Sequence, residues 1–155
     1  MNAQPFDISL VIARVQSQVS ALRKVAGAAD YASVRGLNDF PAPCAYVLLA
    51  REKGVPRETG HVTPGAQVRT MQKVAVTFGI VVAVRNYRES ERGYQGNDSL
   101  QTILGQIRGA LIGWAPQVDG ADACSFLQGN LTQYDAGTLL WTDVFHTKHT
   151  IGAGA

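Results

Sequence analysis

The apolar positions of this chain change their period several times, and each change marks an element. From Asp7 to Val25 they fall at Ile8, Val11, Ile12, Val15, Val19, Leu22 and Val25, the spacing of one helical face, with Ser9, Arg14, Gln16, Gln18, Arg23 and Lys24 between them. The pattern predicts a helix laid on a sheet, opened by Pro5 or Asp7 and closed by Gly27. Gly36 to Pro43, rich in Gly, Asn, Asp and Pro, punctuates the chain before a strand over Cys44 to Ala50. Lys73 to Tyr87 is the strongest strand: Val74, Val76, Phe78, Ile80, Val82 and Val84 alternate with the mostly small Ala75, Thr77, Gly79, Val81 and Ala83. The large face belongs under helices, and the small face is left to solvent or to a neighbouring subunit. A second helix, starting at Asp98 or Ser99, carries Leu100, Ile103, Leu104, Ile107, Leu111 and Ile112 on one side. Gly105 and Gly109 sit on it although each glycine costs a helix about 1 kcal/mol relative to alanine. Close packing of the helix on the sheet is the preferred explanation, ahead of close approach by another subunit. Cys124 to Tyr134 and Thr138 to Ile151, joined by Asp135, Ala136 and Gly137, predict a closing antiparallel hairpin.

These elements define an α+β fold, with a mixed or mostly antiparallel sheet of about four or five strands and two main helices packed on one face. Val76, Phe78, Ile80 and Val82 are expected to be buried against Ile12, Val15, Ile103 and Ile107. A length of 155 residues suits one domain, and 46% hydrophobic with 17% charged residues is a globular composition. Residues 1–155 are thus expected to form a single domain, with a projecting polar arm over 51–70 and a flexible end over 152–155. The arm reads REKGVPRETGHVTPGAQVRT, long for a connection in a compact domain, and long loops are usually functional or disordered.

Charge and motifs narrow the chemistry. The net charge is +2 and the basic residues are scattered along the chain, which gives nucleic-acid recognition little support and no sequence specificity. Cys44 and Cys124 are far apart in apolar runs and are expected to be reduced core thiols. His146 and His149 lie an odd number of residues apart on a strand, so they point to opposite faces and cannot share a metal. No Gly-x-Ser-x-Gly elbow, phosphate-cradling loop or nucleophile triad is readable, and Glu89 and Glu91 lie beside Arg88 and Arg92 in a solvated loop. No catalytic residue, cofactor or metal is therefore expected, nor is an apolar run long enough to span a membrane or an export signal.

The segment LLWTDVFHTKHTIG, following an acidic and glycine-containing turn, resembles the closing strand of tail terminator proteins of long-tailed bacteriophages, with a W-x-D-x-F type core at Trp141, Asp143 and Phe145. The order of elements is similar too: opening helix, strand with a long arm, second long strand, helix after a polar loop, final hairpin. The nearest likeness is to terminators of Mu-like and related Pseudomonas siphophages. The resemblance implies a structural virion protein, assembled in the host cytoplasm into a hexameric ring. That ring caps the head-proximal end of the tail tube, stops tube polymerisation and offers a surface to the head connector. Its partners would be itself, the tail tube protein and the connector or neck protein, with neither membrane nor cofactor. Arg51, Lys53, Arg57, His61, Arg69, Arg88 and Arg92 are the candidate interface residues, because a polar arm with scattered cations can order on binding. Alternatives are another neck or tail completion protein, or a small ligand-binding or enzymatic domain with its site beneath the Arg85 to Asp98 loop.

Overall fold

The computed structural model describes residues 2–56, 70–85 and 95–153. In chain order these form helix α1 (Ser9–Gln18), strand β1 (Lys24–Ala26), helix α2 (Ala28–Ser33), a 3-10 turn (Leu37–Asp39), β2 (Cys44–Gly54), β3 (Thr70–Arg85), α3 (Gln95–Leu111), β4 (Ser125–Tyr134) and β5 (Thr138–Ala153). The strands make one mixed sheet in the order β1-β2-β3-β5-β4. Only β1 runs parallel to its neighbour; β2, β3, β5 and β4 alternate in direction.

The period-two alternation of β3 has the expected consequence. Val74, Val76, Phe78, Ile80, Val82 and Val84 are buried in one cluster with Val11, Val15, Ile103 and Ile107, and Ile12 packs against it. Burying a side chain such as Phe78 or Ile80 contributes about 1.5–3 kcal/mol, so this face anchors both helices. A row of aromatic rings crosses the sheet beneath them: Phe6 on Phe78 with centroids 6.3 Å apart, Phe78 on Phe145 at 5.6 Å, and Phe145 against Phe126 at 5.8 Å. The face changes character by a single residue step, as His149 shows: it is buried beside Phe6 and Glu52, whereas His146 lies on the other side. The two histidines do point to opposite faces.

Several boundaries differ from the sequence expectation. The opening helix stops at Gln18, not Val25, and Lys24–Ala26 becomes an edge strand in register with Cys44–Tyr46. Val19, Leu22 and Val25 keep the helical spacing because a turn and a short strand can also bury them; Val25 faces the main core between Lys24 and Ala26. Gly27 accordingly opens α2 instead of closing α1. The cap position of α1 falls on Ile8, one residue after Asp7, whose carboxylate accepts the N–H and hydroxyl of Ser9 at 3.0 and 2.6 Å in the turn that leads into the helix. One half of the sheet's second face is covered within the subunit, not left to solvent or a neighbour. Phe40, Ala42, Cys44, Tyr46, Val81, Ala83 and Leu140 form a second buried cluster there, with Tyr31, Val34 and Leu37 packed on it. Both cysteines are free and buried, Cys44 in this cluster and Cys124 in the main one, and burial raises the pKa of each thiol.

The ends of the long strands also extend further than expected. Arg51–Gly54 continue β2 and Thr70 begins β3, so the proposed arm loses its two ends to the sheet, and residues 57–69 lie outside the described residues. The backbone N–H of Val55 still donates to Lys73 O at 2.8 Å. At the other end β5 runs through Ala153, pairing Gly152 with Met71 and Ala153 with Thr70; only 154 and 155 of the expected flexible end fall outside the described residues. The closing hairpin forms as expected, and the Asp135 carboxylate accepts the N–H groups of Gly137 and Thr138 at 2.7 and 2.8 Å to make its turn.

Candidate assembly surface

Helix α3 begins at Gln95, before the predicted start, and ends where Gly113 adopts a φ of +84°, a left-handed turn that glycine enters without steric cost. Its buried side presents Leu100, Ile103, Leu104, Ile107 and Leu111 to the sheet, but Ile112 is 52% exposed. Gly105 and Gly109 are not on the packed side. A Cβ at either would meet nothing within 4 Å, so close packing on the sheet does not explain them. They leave a bare strip of helix backbone facing outward.

Between that strip and the sheet edge stands Arg108, three residues after Gly105 and four before Ile112, hence on the same ridge. Its guanidinium grips Asp143 with two hydrogen bonds, Nε to Oδ2 at 2.7 Å and Nη2 to Oδ1 at 2.8 Å. Trp141 Nε1 donates to the same Oδ1 at 2.7 Å. The Asp143 side chain is wholly buried and that of Arg108 is 34% exposed. The carboxylate holds the Arg108 pKa above its ordinary value, chiefly through the hydrogen bonds. Arg108 also lies over the ring of Phe126, 4.4 Å from its centroid. Gly129 of β4 makes room for this corner: a Cβ there would come within 2.6 Å of Asp143 Oδ1 and 2.9 Å of Trp141 Nε1. Trp141, Asp143 and Phe145 therefore share one face, and the W-x-D-x-F segment ties β5 to α3 and β4.

Strand β4 is the outer edge of the sheet and almost wholly exposed on both sides. Its ten residues, SFLQGNLTQY, contain no charge, and Phe126, Leu127, Leu131 and Tyr134 stand 36–56% exposed. Proteins normally blunt such an edge with charges, proline or a covering element, because its unpaired N–H and C=O groups can add a strand from another chain. Two bulges, at Phe126/Gln128 and Leu131/Gln133, are the blunting present.

Of the interface residues expected from sequence, Arg51 and Lys53 are exposed at the far end of β2. Arg57, His61, Arg69, Arg88 and Arg92 lie outside the described residues. Sequence reasoning took Asp143 only as part of the W-x-D-x-F segment and passed over Arg108 and the β4 edge, for which the missing charges of β4 were the available signal. Near the Arg85 loop, a cavity of about 520 Å³ is lined by Arg23, Pro43, Val84, Arg85 and Ile103 among others, and among the described residues no carboxylate, histidine or thiol lines it. Arg85 there is already engaged, donating to Phe40 O at 2.9 Å, Thr138 Oγ1 at 2.9 Å and Asn38 O at 3.3 Å.

The fold and this surface define a small α+β domain with an open, uncharged sheet edge, a type of subunit suited to meeting other chains. The model of the phage tail terminator protein family matches residues 1–155, and the chain belongs to that family. It is a structural protein of the virion tail. No curated protein matches significantly. Among solved structures, a chain in the virion of a native gene transfer agent particle is similar over 92% of this chain and 84% of its own, at 16% identity and a TM-score of 0.48. No helix among the described residues is long and apolar enough to cross a membrane.

Proposed function

We propose that this chain closes into a ring of identical subunits, six by family resemblance, on the head-proximal end of the tail tube. There it stops tube polymerisation and presents a surface to the head connector. The observation that carries this reading is the uncharged, doubly exposed β4 beside the bare ridge of α3. A ring needs head-to-tail contacts, in which one surface of each copy meets a different surface of the next. The opposite side of the sheet offers one, because β1 covers only Cys44–Tyr46 and leaves the outer edge of β2 open beyond them. β4 runs antiparallel to β2, so the two edges of neighbouring copies can join without breaking the alternation of strands. Arg57 and Arg69 of the segment 51–70 add contacts to acidic groups on the tube or the next subunit, and His61, Arg88 and Arg92 join them in this proposal.

The test is complementation of a virus lacking the protein by variants that place a charge on the open edge, Leu131→Lys and Asn130→Lys. Both positions are exposed or nearly so, so the fold survives while capping fails, and electron micrographs show tails of uncontrolled length without heads. Tails of normal length, joined to heads, would remove β4 from the interface. Replacing Arg57 and Arg69 together by serine weakens capping in the same assay, and normal tails there would remove the arm.

A further inference from the structure

The sheet gathers cations that the sequence scatters. Residues directly opposite one another on paired strands share a face, and two neighbouring rungs run across β2, β3 and β5: Lys53, Ala75 and Lys148 in one, Arg51, Thr77 and His146 in the other. Lys73, opposite Thr150, stands on the next rung of the same face. Glu52, between Arg51 and Lys53, points the other way, bonding Phe6 N at 2.7 Å and His149 Nε2 at 3.2 Å. The sheet's alternation has thus separated the cations from the acid interleaved with them. The second apolar cluster ends at Leu48 and Val81, so it does not reach these rungs. Among the described residues the one carboxylate paired with these cations is Asp122, 3.5 Å from Lys73.

We infer that this lower half of the second sheet face binds the phosphodiester backbone of duplex DNA without reading its sequence. The floor between the cations is small and hydroxyl-bearing, Ala75, Thr77 and Thr150, without an aromatic anchor, and the exposed Met71 stands one rung beyond Lys73, at the end of the face. Lysine, arginine and threonine on a flat face are the groups that contact phosphates. The rungs carry no Phe, Tyr or Trp on which unstacked bases would sit, which favours a duplex over a single strand. Nor does any helix among the described residues rise from this half of the face to enter a groove, so base readout is not expected.

The purified full chain is titrated into a fluorescein-labelled random-sequence duplex and followed by anisotropy. With four cations meeting phosphates, affinity falls about 150-fold between 50 and 200 mM salt. Arg51→Ser with Lys53→Ser and Lys148→Ser lowers affinity at least about tenfold at the lower salt and flattens the salt dependence to about fourfold. A control, Arg23→Ser with Lys24→Ser and Arg35→Ser, makes the same change in net charge away from the face and leaves binding within about twofold; circular dichroism melts check that both variants fold. Equal losses in the two variants would reduce the effect to net charge and overturn the assignment. So would absence of binding at 50 mM salt, or competition by polyglutamate as effective as by unlabelled duplex, which would indicate an acidic protein as partner. The assay uses the free subunit, so its outcome does not depend on ring formation.

Discussion

Asp143→Ala tests the corner that joins α3, β4 and β5. The substitution removes a carboxylate that is 0% exposed and accepts three hydrogen bonds, two from Arg108 and one from Trp141. Breaking a buried pair by deleting one partner typically costs about 3–5 kcal/mol. The Arg108 side chain keeps 34% of its surface, so its charge can turn to water and the loss sits near the bottom of that range, about 3 kcal/mol. Arg108→Ala costs more, about 4 kcal/mol, because the carboxylate it abandons has no route to solvent. Replacing both, Arg108→Met with Asp143→Leu, recovers much of the loss, since the expense lies in the unpaired charge and not in the absence of an ion pair. Urea denaturation followed by tryptophan fluorescence measures all three, with a lower midpoint and an unchanged slope. In a domain of this size the Asp143→Ala midpoint falls by about 6–12 °C on heating. A loss below about 1 kcal/mol for Asp143→Ala, or a double variant as unstable as the sum of the singles, would show that the corner is not held by this pair.

Gly105→Ala and Gly109→Ala are expected to stabilise the subunit by about 1 kcal/mol each, because a Cβ meets nothing there and the helix gains propensity. If α3's bare strip packs in the ring, the same variants lose capping, so higher melting temperatures accompany tails of uncontrolled length. Cys124 supplies a pH dependence. Burial raises its thiol from the usual 9.0 to about 11, partly offset by Thr147, so the folded state holds the proton that the unfolded chain has released. Its contribution is therefore complete below about pH 9 and is lost as pH rises toward 11. Urea midpoints that fall across that window in the native chain, and fall less in Cys124→Ala, are the expected result.

Periodic patterns carried the core. The alternation of β3, the apolar side of α3 and the final hairpin are local regularities of 2 and 3.6 residues that a chain displays before it folds. What escaped the sequence is of another kind. Lys24–Ala26 is too short for any period, and becomes a strand only because Cys44–Tyr46 offers it an edge. The outward turn of Gly105 and Gly109 depends on which side of α3 the sheet occupies. Asp143 looks like any strand aspartate until α3 brings Arg108 over it across 35 residues of chain. Arg51 and Lys53 are remote in sequence from Lys73 and Lys148, and the four become one cationic face through register alone. Side-chain period is a property of each segment, whereas register, edge and face exist only between segments, so the chain's order determined its core and tertiary pairing decided its surfaces.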